Sequence, residues 1–453
     1  MRPPLVWLAI GFGAGLWAGL DASWGTWGVG MWGVGVPVLV GVLLVGRHAP
    51  VAGALGFAGV AGLLWGAAAL ARRDASCAGI WGRGMGEGGG GARAVVVRLL
   101  DPVSGDGGLV DAQVRGGACG GGITLRWPSR KPAAGGTTWL VAGPWMGDAG
   151  RGLLRVRSSR LLDAAPRGRG GLRGRVAARS AALFGARAPL VDALVIGRTA
   201  DLDAEVRERY ARSGLAHILS ISGLHVGFFA AWLALALRLM GVPPRARLVL
   251  STLAVLAYCW LIGFPAPALR AGVMLALDGV ARWRQRVVAP RAIIALATLV
   301  VLLADPWAIH SVGAWLSVAA IGAVIWADRA ISGPGVLKLV APAIAATLVT
   351  APITAFAFGT VAPIGVLANL VAIPLGAAAV PGAIFALGLS VVLPTLGAWL
   401  AAGAGLALAL LDLVAGAAAA IPGGHIVSMP GWPAAVSWTG VLLAAWWLWH
   451  TPR

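Results

Sequence analysis

Apolar and polar positions alternate on two scales along this chain. At the coarse scale, three long apolar runs, 5–20, 29–45 and 51–71, precede a polar stretch, 72–212. A longer series follows at 216–238, 248–264, 267–281, 291–304, 311–327, 337–360, 361–380, 383–411 and 433–449. Runs near 20 residues match the hydrocarbon thickness of a bilayer. The pattern predicts a polytopic α-helical membrane protein with about 11–12 membrane segments. Several runs are short or interrupted by Ser, Pro and Gly, which predicts broken or re-entrant helices. The first run lacks an A-x-A cleavage site and is read as a retained helix.

At the fine scale, the polar stretch changes period halfway. "ARAVVVRLL", "GLVDAQV", "GITLRW", "TTWLVAG" and "GLLRVRSSRLLD" read as short strands separated by Gly and Pro turns. "GEGGGGA" reads as a loop. So many short strands in this length suit a small β-barrel, an OB-like one among the candidates, or a sandwich. Beyond residue 170 the period becomes helical, with "DLDAEVRERYARSG" the most amphipathic portion. The organisation expected is 1–71 N-terminal membrane helices, 72–169 an OB-like β domain, 170–212 an amphipathic helical linker and 213–453 a multi-helix membrane domain.

Composition excludes a soluble enzyme. Of 453 residues, 58% are hydrophobic and 12% charged, with mean hydropathy +0.83, whereas soluble chains carry about 25% charged residues. The net charge is +19, and 72–212 holds 23 Lys and Arg against 12 Asp and Glu. Membrane-side anchoring and a bound polyanion both account for this excess. Arg2, Arg47, Arg245, Arg247, the run "RWRQRVVAPR", Arg329 and Lys338 fall on one side when the spans are counted off. The positive-inside rule then places the N-terminus in the cytoplasm and 72–212 outside it. Tryptophan-rich "SWGTWGVGMW" and "AAWWLWH" read as interfacial anchors.

Polar residues within apolar runs carry the remaining information, because each is costly unless it meets water or a partner. In "SGLAHILSISGLHVGFFAAW", His217, Ile221 and His225 follow an i, i+4, i+8 ladder, while Ser220 and Ser222 point elsewhere. Two turns separate the histidines, too far for one metal ion on an unbroken helix. Ser222-Gly223 offers a bend or a close helix approach. Ser222 lacks the context of a nucleophile elbow, so the segment is either a polar structural helix or the lining of a passage. Arg270 and Asp278 stand eight residues apart, beyond direct pairing on a straight helix. Arg270 either snorkels or joins a polar network. Asn369, between Pro363 and Pro374, suits a helix bridge or the cap of a broken helix. Cys77 and Cys119, both in the polar stretch, form a disulfide if that stretch faces an oxidising space, and are otherwise buried thiols. No P-loop and no histidine cluster is present, so neither cofactor nor metal is expected.

Taken together these stretches resemble the ComEC/Rec2 family of competence-associated membrane proteins. "SGLAHILSISGLHVGFF" carries most of the likeness, supported in order and spacing by "GFPAPALRAGVML", "DPWAIHSVGAWLSVAAIGAV" and "FAFGTVAPIGVLANLVAIPL". The resemblance implies a bacterial inner-membrane channel that passes single-stranded DNA into the cytoplasm during natural transformation. It also implies an OB-like insertion, oxidised cysteines matching Cys77 and Cys119, and partners comprising a DNA receptor, a cytoplasmic DNA translocase, a separate nuclease and membrane lipids. Its signature residues are His217, Ser220, Ser222, Gly223, Leu224 and His225, joined by Arg270 and Asn369. Many members continue into a metallo-β-lactamase-like domain with an H-x-H-x-D-H motif, and this sequence has no H-x-H. No nuclease activity is therefore expected of it. A small-solute transporter and a non-conducting scaffold for a partner nuclease are the competing readings.

Overall fold

A computed structural model describes residues 4–20, 50–83, 92–103, 107–116, 119–148, 151–330 and 335–427. The spans expected at 29–45 and 433–449, the Trp-rich anchors and the "GEGGGGA" loop lie wholly or almost wholly outside these residues. The chain divides into two compact units, 1–182 with 280–309, and 183–279 with 310–453. Among the described residues, five helices are long and apolar enough to cross a membrane, and four shorter apolar helices accompany them. The protein is a multi-pass membrane protein with a β-barrel insertion.

In the first unit, α1 (Pro4–Gly19) packs along α2 (Pro50–Asp74). Glycines bring the two backbones together. A Cβ on Gly15 would stand 1.8 Å from the Gly59 carbonyl oxygen, and one on Gly62 would stand 2.1 Å from that of Phe12. Hydrocarbon gives helices no hydrophobic reason to associate, so close packing through small residues supplies the attraction. Helix α11 (Pro290–Ala304) also lies on α1. The Arg73 guanidinium sits 4.5 Å from the centre of the Trp307 ring.

The short helix α3 (Cys77–Arg83) leads into β1 (Ala92–Leu99), β2 (Gly108–Gly116), β3 (Gly122–Trp127), β4 (Thr138–Asp148), β5 (Arg151–Arg155) and β6 (Ser158–Asp163). The stretch expected as one strand, "GLLRVRSSRLLD", is interrupted at Val156 and Arg157 into β5 and β6, which run antiparallel along the same edge of β4, while β1 takes the other edge. Strands pair β1–β2–β3–β5–β4, and β4 returns to β1, so five strands close a barrel of the OB-like kind. All pairs are antiparallel except β3–β5. Alternation fills the interior: Val97, Leu99, Ala112, Leu125, Val141 and Leu154 are fully buried, and Arg98, Asp111, Gln113, Thr124 and Arg126 alternate with them on β1, β2 and β3. Helix α3 belongs to the same core, its Trp81 meeting Trp145 edge-on at 5.5 Å. A disulfide joins Cys77 to Cys119 just before β3. Helix α4 (Gly168–Phe184) begins against the barrel, where buried Arg173 pairs with Asp101.

The second unit starts with α5 (Ala188–Ile196) and α6 (Ala204–Arg212). The stretch 170–212 is thus not amphipathic throughout. Leu190 to Ile196 are all buried, which makes α5 a core helix, while α6 alone carries the charged face. Then follow α7 (Ala216–Leu219), α8 (Gly223–Leu239), α9 (Pro244–Ile262) and α10 (Ala266–Trp283), and beyond α11 come α12 (Val312–Ala330) and α13 (Gly335–Phe358). After β7 (Thr360–Val361), α14 (Gly365–Leu389) and α15 (Pro394–Ala419) form a hairpin, and β8 (Ile426–Val427) pairs back with β7. The two spans read as 361–380 and 383–411 are therefore divided at 390–393 instead. Pro374 and Pro381 lie inside α14 rather than ending it, as membrane helices tolerate when neighbours satisfy the freed carbonyls. Phe229 on α8, Tyr258 on α9 and Phe385 on α14 meet as tilted rings. The Tyr258 hydroxyl donates to the Val195 carbonyl at 2.9 Å, tying α9 to α5.

Candidate functional site at a broken helix

The signature segment is not one helix. Helix α7 stops at Leu219, Ser220 (φ −97°, ψ 141°) and Ser222 (φ −105°, ψ 168°) are extended, and α8 begins at Gly223. This corrects the ladder of His217, Ile221 and His225, which presupposed continuous helical spacing. The cause is local. Ser222 is the N-cap of α8 and takes part in a reciprocal capping box with His225, whose side chain stands where a Glu or Gln usually does. The Ser222 amide donates to His225 Nδ1 at 3.1 Å, so the neutral imidazole carries its proton on Nε2. On the other side of the break, the Ser220 hydroxyl donates to the His217 carbonyl at 3.1 Å.

Burial separates the signature residues. His225 is buried, at 3% exposed, whereas His217, Ser220 and Leu224 are exposed and Ser222 and Gly223 are half-buried. Gly223 seats α8 against α10: a Cβ there would lie 3.4 Å from the Ala271 Cβ and 3.6 Å from the Pro267 carbonyl oxygen. Arg270, on that same part of α10, is 1% exposed. Its Nε and Nη2 are buried without a hydrogen-bond partner among the described residues. Asn369 lies one turn into α14, half-buried, with Oδ1 likewise unpartnered among the described residues. Asn369 shares no hydrogen bond with the signature segment among the described residues.

Two relationships escaped sequence reasoning. Gly214 (φ +77°), just ahead of α7, crosses Gly365 at the start of α14, and a Cβ on Gly214 would stand 2.8 Å from the Gly365 Cα. The pair of glycines was visible, but not their meeting across 151 positions of chain. The second is Asp412, the one charged residue of α15, which faces Arg209 of α6 at 3.3 Å. Beside them the fully buried Tyr210 hydroxyl has no hydrogen-bond partner among the described residues. Burial, then the Asp412 charge, push the Tyr210 phenol well above its ordinary range, with Arg209 opposing. An acid in an apolar run was the available signal.

The barrel presents a separate surface. Arg126 on β3 and Arg155 on β5 are opposed in the parallel register, both exposed, while their neighbours Leu125 and Leu154 fill the core. Arg115, Arg157 and Arg160 are exposed as well. Like charges placed opposite each other are unfavourable unless an anion lies between them. No group of three His, Cys, Asp or Glu side chains suited to a metal ion occurs among the described residues.

A membrane protein with polar groups gathered at a broken helix and a basic extramembrane barrel is the class that fold and site define. The family of competence proteins matches residues 194–452, more than half of the chain, and the protein belongs to that family. Competence protein ComA of Neisseria gonorrhoeae is 38% identical over 146 residues, 30% of this chain and 21% of that protein. An uncharacterised protein of Escherichia coli, YcaI, is 31% identical over 199 residues, 40% of this chain and 26% of that protein. ComE operon protein 3 of Bacillus subtilis is 32% identical over 133 residues, 29% of this chain and 17% of that protein. The matched region thus covers about a quarter or less of these relatives' length. No solved structure matches.

Proposed function

We propose that this chain is an inner-membrane channel that passes single-stranded DNA into the cytoplasm during natural transformation. Its N-terminus lies in the cytoplasm and its barrel outside, where a DNA receptor delivers the strand. A cytoplasmic translocase draws the strand inward, and a separate nuclease removes its complement. The observation that carries the reading is the break at Ser220 to Ser222. A helix break frees backbone carbonyls and amides, and His217 and Ser220 are exposed beside it. Hydrocarbon penalises both kinds of group by several kcal/mol, so such a surface belongs against water. The family membership and the paired arginines of the barrel point to the cargo: a polyanion is drawn to a basic surface whatever its sequence.

The test is complementation. In a transformable strain whose own channel gene is deleted, expression of this chain is expected to restore movement of labelled DNA into the cytoplasm. Unrestored movement, with the protein confirmed in the membrane, overturns the reading.

A further inference from the structure

The buried Arg173 and the largely buried Arg198 both have carboxylate partners. Arg173 pairs with Asp101, and Arg198 with Asp192 and Asp201. Arg270 is more deeply buried than either, and none of its ion pairs is to be found among the described residues. The acids beyond residue 212 are Asp278, Asp305, Asp328 and Asp412. Asp412 serves Arg209, and Asp278 is eight residues from Arg270 on the same helix.

The two unpartnered nitrogens, Nε and Nη2, form one edge of the planar guanidinium. Their N–H bonds run parallel, the geometry that grips two oxygens of a carboxylate or phosphate at once. A buried guanidinium with that edge empty is unstable relative to one whose edge is filled. With no carboxylate among the described residues paired to it, an anion from outside the chain can fill that edge.

We infer that the Nε/Nη2 edge of Arg270 binds the phosphodiester groups of the strand as it passes. The inference rests on the channel reading and names the group that reads the cargo there. Arg270 lies on α10 next to the turn that meets Gly223 and the broken segment, within the half of the molecule that the family match covers. Its 1% exposure shuts it off from lipid at the outer surface, so the strand reaches it when the packing around Gly223 opens. One diester at a time occupies a single arginine edge, which holds the backbone without selecting a base. A phospholipid headgroup offers the same phosphodiester, and the experiment separates the two sources.

The test uses the full chain in the complemented strain and two labelled strands, one with an ordinary backbone and one with a central block of uncharged methylphosphonates. Arg270→Gln is expected to slow entry of the ordinary strand about tenfold or more, the loss typical of a charge-assisted hydrogen bond. Arg270→Lys is expected to recover part of it. Passage of the methylphosphonate block is expected to be the same in the wild type and Arg270→Gln. Ordinary-strand entry at the wild-type rate in Arg270→Gln overturns the inference while leaving the channel reading intact. So does an equal loss on both strands. Phospholipid that copurifies with the wild type and is lost from Arg270→Gln, with entry unchanged, assigns the edge to a headgroup and also overturns it. Where the wild type moves no strand, the channel reading fails first. Arg270 is then judged by binding of oligothymidylate to the detergent-purified chain: a tenfold weakening in Arg270→Gln supports a phosphate site, and unchanged binding overturns it.

Discussion

The Ser222 amide donates to Nδ1 of His225 at 3.1 Å. That bond turns a histidine that sequence spacing placed on a ladder with His217 and Ile221 into one half of the capping box that starts a helix. His225 is buried at 3% exposure because it is folded back on its own N-terminus.

Removing this cap has a defined cost. His225→Ala is expected to destabilise the chain by about 1 kcal/mol, the usual worth of a capping interaction. His225→Gln, which keeps an acceptor at the third helical position, is expected to recover most of it. Thermal unfolding in detergent measures both, and equal stability of His225→Ala and the wild type contradicts the assignment.

The crossing of Gly214 and Gly365 makes a sharper case. Gly214→Ala puts a Cβ 2.8 Å from the Gly365 Cα at φ +77°, so a loss of about 1–3 kcal/mol is expected. Gly227→Ala is the control. A Cβ there meets nothing within 4 Å, and in a helix the change stabilises by up to about 1 kcal/mol. Opposite signs in the two unfolding curves are the expected result.

Tyr210 is fully buried, with its hydroxyl unpartnered among the described residues. Tyr210→Phe removes an unsatisfied polar group while keeping the ring, so the protein is expected to gain up to about 1 kcal/mol. The neighbouring pair of Arg209 and Asp412 is 30% and 38% exposed, so a double-mutant cycle is expected to give a coupling of about 1 kcal/mol or less. A destabilised Tyr210→Phe shows that the hydroxyl has a partner.

For the barrel, the quantity to measure is salt dependence. Replacing Arg126 and Arg155 by Gln removes two opposed charges from the β3–β5 surface. If both contact phosphates, the slope of log K against log salt for single-stranded DNA falls by about 1.4, at about 0.7 per phosphate. The effect is expected to be equal for strands of different sequence. Anisotropy titrations of the full chain over a range of salt concentrations test it, and an unchanged slope removes these arginines from the DNA surface.

The amino-acid sequence determined the apolar spans, the alternation of the short strands and the identity of the costly residues His217, His225, Arg270 and Asn369. These are legible because solvent preference is written one residue at a time and repeats with the period of the element. The tertiary structure decided the rest. That the strands close a barrel rather than a sandwich was decided by the pairing of β1 with β4. Helix α8 starts at Gly223 because the Ser222 cap and the His225 side chain outweigh the helical spacing of the run. Helix α5 is core rather than linker because α9 and α14 cover it. Arg270 is left with an empty edge because, among the described residues, no carboxylate pairs with it, although the sequence places Asp278 on its own helix. Partners brought together from distant parts of the chain have no period, and packing alone selects them.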